Sequence, residues 1–264
     1  LRRDISQGSD ASFELGQRDF PARFTPGGLV GREAELALLQ VAFAEALAGT
    51  SRTVVIHGPA GVGKSALIHE FRSCVLAANG WVVRGKVDQY LKEQVGAGAL
   101  TQALRCLGRL LLAQSAEVLA SERERIVAAV GPGVAQITAL PPEFALILGP
   151  QPELAPIDPA QAELRQLQAI VGLIAAIASP SRPLVIVLDD LQWAAAQSLR
   201  SFQRLMDEPG ISGMLLAGVY RGAGPGPDNA APSRRRPTLH RMRRRCASRL
   251  PISATGTARS CLPD

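Results

Sequence analysis

Apolar and polar positions alternate along this chain in two distinct rhythms. Leu36, Leu39, Phe43 and Leu47 recur at steps of three and four, which predicts a helix over 32–48 with Gly49 as its stop. Thr53 to Ile56 is a short β-branched run and reads as a buried strand. Lys64 to Ala78 returns to helical spacing, with Leu67, Phe71, Cys74, Val75 and Ala78 on one face, and Asn79-Gly80 closes it. Trp81 to Val87 reads as a second strand. Residues 97–148 are mostly helical, interrupted at Gly131-Pro132-Gly133 and Pro141-Pro142. After a proline-rich connector from Pro150 to Pro159, a helix is predicted from about Ala160 to Ala178. Leu184 to Leu188 is a third strand, apolar throughout. A helix over about Ala195 to Asp207 stops at Pro209-Gly210, and Met214 to Tyr220 is a fourth strand.

Strands separated by helices imply a parallel sheet covered on both faces, because parallel neighbours need long crossovers. The expected fold class is therefore α/β, a three-layer sandwich with a helical insertion before the third strand. Residues 1–27 have weak periodicity and end in Pro26-Gly27-Gly28, so they read as a flexible lead-in. No internal repeat is visible.

The first strand runs into Gly58-Pro59-Ala60-Gly61-Val62-Gly63-Lys64-Ser65, which satisfies GxxxxGK[ST] in full. A phosphate chain needs many N–H donors close together, and bulky side chains would block its approach. Glycines at 58, 61 and 63 permit a tight loop, and the helix opening at Lys64 points its free N–H groups at an anion. Lys64 supplies a cation for the β- and γ-phosphates, and the Ser65 hydroxyl is placed to ligate Mg²⁺. A strand leading in and an amphipathic helix leading out give this P-loop its expected context.

The third strand ends in Asp189-Asp190, the Walker B form. Asp189 is expected to hold Mg²⁺ through water and Asp190 to orient the attacking water. Arg221 follows the fourth strand directly. In a P-loop sheet that strand lies beside the third, so a cation at its tip would face the γ-phosphate. A solvated arginine at a strand end is the other reading. No guanine-specific NKxD pattern occurs, so ATP is the expected nucleotide, with GTP left open.

Composition narrows the function classes. The chain is 47% hydrophobic and only 4% aromatic, so aliphatic side chains must fill the core. The longest apolar run, Ala169 to Ala178, falls short of the ~20 residues a membrane helix needs. Leu1-Arg2-Arg3-Asp4 lacks the apolar stretch of a signal peptide, and the missing initiator Met leads us to expect an incomplete start. Cys74, Cys106, Cys246 and Cys261 form no CxxC pair, which argues against a zinc site and fits a reducing cytoplasm. His57, His69 and His240 have no partners at ligand spacing, and Trp193 is expected to pack. The net charge of +6 is a property of one segment. Residues 222–264 hold nine Arg and two Asp, a balance of +7, so the rest of the chain sums to about −1.

With these motifs in order, the chain resembles a group of AAA-type ATPases, the STAND class, close to Orc1-like ATPase domains. The resemblance rests on Leu29-Val30-Gly31-Arg32-Glu33, the loop at 58–65, Gly85-Lys86-Val87-Asp88-Gln89, the stretch Leu184 to Ala194 and Gly218-Val219-Tyr220-Arg221. It covers about 28–221. Such domains sit inside large bacterial signalling kinases and transcriptional activators, which implies further signalling domains in a longer parent. The resemblance also implies that Val30, Gly31 and Arg32 pack near the adenine, that Lys64 and Ser65 are the Walker A pair, and that Arg221 is the sensor arginine. Two departures stand out. The family usually has Asp where this chain has Ala195, which leaves phosphate binding intact but bears on hydrolysis or coupling. After Arg221 the helical lid of the family gives way to an Arg- and Pro-rich segment.

Residues 222–264 are expected to be a disordered basic tail, and a frame-shifted or truncated end of a longer reading frame is a sharper version of that expectation. Arg234-Arg235-Arg236 and Arg243-Arg244-Arg245 offer a nucleic-acid or acidic-surface contact as the functional alternative. The sequence thus points to a nucleotide switch that binds ATP and Mg²⁺ and hydrolyses slowly. Its competitors are a truncated, non-hydrolysing fragment and an Orc1-like DNA-binding ATPase using the tail.

Overall fold

The computed structural model describes residues 31–87, 98–152, 158–208, 211–221 and 248–251. The expected lead-in at 1–27, together with Val30, and most of the expected tail lie outside the described residues.

Strand β1, Arg52–Gly58, follows helix α1, Glu33–Leu47, and feeds helix α2, Lys64–Ala77. Strand β2 is Trp81–Lys86. The helical insertion then comprises α3 (Ala99–Leu112), α4 (Ala116–Val130), the short α5 (Val134–Thr138), α6 (Pro142–Leu148) and α7 (Pro159–Ile177). Both expected breaks are used. Gly131–Gly133 forms a 3-10 turn between α4 and α5, and Pro142 opens α6. Helix α7 starts on Asp158-Pro159, where the Asp158 carboxylate accepts the Ala160 and Gln161 N–H groups at 3.0 and 3.4 Å. This satisfies donors that the first helical turn would leave unpaired. Strand β3 (Leu184–Asp189), helix α8 (Ala196–Met206) and strand β4 (Met214–Arg221) follow.

The strands form one parallel sheet in the order β2-β3-β4-β1, extended past β1 by a further strand, β5, at Ser248–Pro251. β5 corrects the expectation that 222–264 is disordered throughout. Its four residues pair in parallel with Val54 to His57. Without β5 the outer edge of β1 would carry unpaired N–H and C=O groups, which a short extended segment within reach can satisfy. Proline is tolerated there because the strand is an edge.

Alternation along the strands sends successive side chains to opposite faces. Val54, Ile56, Val185, Val187, Leu215 and Ala217 pack against α1 and α2, around Leu39, Phe43, Leu67 and Phe71. Val55, Ile186, Leu188 and Leu216 join the larger core on the other face, with Leu104, Phe144, Leu173 and Phe202 from the insertion and α8. β3 is buried along its full length, which is why it reads as an unbroken apolar run. One close approach fixes the insertion to the sheet. A Cβ at Gly85 of β2 would lie 1.6 Å from the Ala99 carbonyl oxygen, so only glycine lets the start of α3 press onto β2.

Candidate functional site

All strands run the same way, so their C-terminal ends meet at one edge. Gly58 pairs with Arg221 across β1 and β4, Leu188 with Gly218 across β3 and β4, and Lys86 with Asp189 across β2 and β3. The loop at 58–65, Asp189-Asp190 and Arg221 therefore share this edge, as the motifs require. By strand alternation, Asp189 lies on the sheet face covered by α2.

The loop has the backbone a phosphate cradle needs. Gly61 and Gly63 have φ of +75° and +94°, and a Cβ at either would meet nothing within 4 Å. The left-handed angle rather than crowding requires glycine, and the open space lies where an anion would approach the N–H groups. Gly63 is the N-cap of α2, with no side-chain acceptor on the first turn. Ser65 in that turn is exposed. Lys64 folds back onto its own loop, its Nζ donating to the Gly58 and Pro59 carbonyls at 2.9 and 2.7 Å. Burial first, and then the Arg221 guanidinium, hold the ammonium below the usual lysine range, opposed by the Asp189 and Asp190 carboxylates. A cation held by two neutral carbonyls and penalised by burial is well suited to meet an anion.

Arg32, expected beside the base, is buried and reaches the loop itself. Its guanidinium donates to Glu35 Oε1 at 2.9 Å and to the Val62 carbonyl at 3.2 Å. Gly31 donates its N–H to Glu33 Oε1 at 3.1 Å. The start of α1 thus anchors the loop from behind.

The acids come with cations that sequence reasoning left unassigned. Asp189 is buried. Its Oδ1 accepts the Asp190 N–H at 2.8 Å, and its Oδ2 pairs with Arg84 of β2. Asp190 Oδ2 lies 3.4 Å from Lys86 Nζ, and its Oδ1 lies 3.6 Å from Arg221 Nε. Gln192 Nε2 donates to the same Oδ1 at 2.9 Å, while Gln192 Oε1 accepts the Arg221 N–H at 2.9 Å. Lys86 and Gln192 stand inside the stretches that carried the resemblance. A signal for Arg84 and Lys86 was present in β2, where two cations two residues apart fall on one face at the strand's end. Ala195, where the resembling family has Asp, is the N-cap of α8 and has no side-chain cap. An acid there would serve helix capping.

Ser65 and Asp189 offer the hard oxygen donors that Mg²⁺ prefers, and the open loop beside Lys64 suits a phosphate chain, so the residues fit a magnesium nucleotide. Among the described residues no group of three or more His, Cys, Asp or Glu side chains is arranged to bind a metal by itself, and no helix is long and apolar enough to cross a membrane.

The chain is 28% identical over 206 residues to hybrid signal transduction histidine kinase G of Dictyostelium discoideum, a match covering 77% of this chain and 6% of that protein. Its structure is similar to that of Cdc6p from Pyrobaculum aerophilum, with a TM-score of 0.45 and 14% identity over 88% of this chain and 48% of that one. It is also similar to a chain of the Drosophila ORC bound to DNA, with a TM-score of 0.38 and 11% identity over 88% of this chain and 91% of that one. The chain thus spans about half of the first structure and a small part of the kinase. Residues 28–216 match the AAA ATPase domain, and this chain belongs to that family.

Proposed function

We propose that this chain is the nucleotide-switch domain of a signalling or regulatory protein, binding ATP with Mg²⁺ and hydrolysing it slowly. One observation carries the reading. A left-handed glycine loop, a lysine lodged on its own carbonyls, two acids and an arginine meet at a single sheet edge. On this reading the loop N–H groups and the start of α2 take the β-phosphate. Lys64 exchanges the Gly58 and Pro59 carbonyls for β- and γ-phosphate oxygens, and Arg32 keeps the Val62 carbonyl turned away from the anion. Ser65 and Asp189 would hold Mg²⁺, which would supply neutralisation of phosphate charge when bound. Asp190 orients a water, and Arg221 senses the γ-phosphate. Turnover is slow because Asp190 is already engaged by Gln192, Lys86 and Arg221. The kinase relative suits a domain, here residues 28–221, whose nucleotide state sets the arrangement of attached signalling domains.

The test is calorimetric titration of the full chain with Mg-ATP beside Lys64→Ala. Loss of one charge-assisted contact predicts affinity weakened by about tenfold to a hundredfold. Equal binding by both proteins, or none by the unaltered chain, would sink the reading.

A further inference from the structure

Asp190 follows β3 in a left-handed conformation, φ 58° and ψ 36°, which non-glycine residues seldom adopt. A 3-10 turn, Leu191–Trp193, follows at once. The turn is fastened by its own backbone, with the Trp193 N–H donating to the Asp190 carbonyl at 2.9 Å and the Ala194 N–H to the Leu191 carbonyl at 3.1 Å. Leu191 and Ala194 are buried beneath it. Glycine at 218 of β4 lets Leu191 and Phe202 press close, since a Cβ there would lie 2.9 Å from the Leu191 side chain.

This packing brings the Gln192 amide between the ends of β3 and β4, where it is 8% exposed. One primary amide uses both of its functions. Its N–H₂ donates to Asp190 Oδ1 and its carbonyl accepts the Arg221 N–H, both at 2.9 Å. The Arg221 side chain returns to the same Asp190 oxygen, with Nε at 3.6 Å. The three residues form a closed circuit, in which one amide donates to a carboxylate on one side and accepts from a backbone N–H on the other. A new partner that displaces the Gln192 donor from Asp190 Oδ1 moves the amide, and moving Gln192 strains the bond that holds the end of β4.

We propose that Gln192 is a positioning residue that couples the Asp190 carboxylate to the end of β4, passing the state of the nucleotide site to the chain leaving Arg221. The proposal rests on the nucleotide reading above and adds the route by which that site reaches the rest of the protein.

The test is residue-resolved amide exchange at Arg221 in the full chain, without ligand and with Mg-ATP or Mg-ADP. Calorimetry on the same samples reports binding separately. Gln192→Met removes both hydrogen bonds at similar size, and Gln192→Glu keeps an acceptor for the Arg221 N–H but loses the donor to Asp190. In the unaltered chain, exchange at Arg221 should differ between Mg-ATP and Mg-ADP. In Gln192→Met, exchange without ligand should be about fivefold faster, as loss of one hydrogen bond implies, and the nucleotide response should vanish while ATP affinity stays within about threefold. Gln192→Glu, which serves also if the Met variant fails to fold, should keep slow exchange without ligand but lose the nucleotide response. A response that persists in either folded variant, or that is absent in the unaltered chain despite binding, overturns the coupling. Absence of Mg-ATP binding by the unaltered chain overturns the nucleotide reading and the coupling with it, and the titration tells that failure apart.

Discussion

The two ends of the sheet are both built from arginines and carboxylates, and they are built differently. At the N-terminal end, Arg182 grips the buried Glu122 of α4 through two bonds of 2.8 and 2.9 Å, stacks over Trp81 of β2 at 4.6 Å and donates to the Ile177 carbonyl at 3.1 Å. Arg125 adds a bond to the same carboxylate at 3.0 Å. The Arg182–Glu122 pair at its centre is planar, bidentate and largely shielded from water, and it clamps the helical insertion to the start of β2 and β3. At the C-terminal end the cations are about half exposed, and Lys86 and Arg221 stand 3.4 and 3.6 Å from Asp190. Such pairs neutralise one another without committing much energy. The same chemistry thus holds structure where it is buried and bidentate, and stays exchangeable where it is loose and open.

The largest expected effect lies at the closed end. Arg182→Ala strands the Glu122 carboxylate in the core with Arg125 alone and should cost about 3 kcal/mol in denaturant unfolding. A cost below ~1 kcal/mol would erase the contrast. At the open end the largest effect concerns binding. Lys64 has a lowered value in the folded chain, so the unfolded chain binds that proton more strongly. Stability should therefore rise as pH climbs from the folded value toward 10.5, the ordinary lysine value. An anion favours the ammonium, so Mg-ATP affinity should be full below the folded value and fall above it by at most about tenfold per pH unit. Calorimetry across that alkaline range should show the fall in the unaltered chain and a flatter profile in Lys64→Arg, whose charge persists.

Smaller effects sharpen the comparison. Ala195→Asp restores a missing cap beside the open end and should stabilise by about 1 kcal/mol, read as a raised denaturation midpoint. Arg84→Ala removes a half-exposed partner of Asp189, and its stability change should stay under ~1 kcal/mol. A loss as large as that of Arg182→Ala would show the open end to be a clamp as well.

What the sequence made legible follows from which interactions are local. The loop at 58–65 is a contiguous motif, and β3 announces itself because a strand buried on both faces must be apolar throughout. The bounds of α1, α2, α7 and α8 came within a residue or two, with glycine or proline close by, whereas the break between α3 and α4 at 113–115 holds neither and was missed. The pairing of Arg84 stayed unread because its partner lies 105 residues away across the β2–β3 register, and only the folded sheet makes them neighbours. The same holds for Arg182 and Glu122, separated by 60 residues. Gln192 is close to Asp190 in sequence, but its second bond crosses to β4. β5 was missed because four residues in an arginine-rich segment carry no periodicity, and the open edge of β1 supplies the reason for them to be extended.

That arrangement has a consequence for how the protein is made. Among the described strands β1 is made before the others, yet its neighbours in the sheet, β4 and β5, are made after them. β1 ends at Gly58, and its first partner opens only at Met214. At synthesis rates of about 5–20 residues per second, the Val54-Val55-Ile56 core of β1 waits roughly ten to thirty seconds for a strand to pair with. During that interval α1 and α2 can cover one of its faces, while both of its hydrogen-bonding edges stay open to any other extended chain nearby.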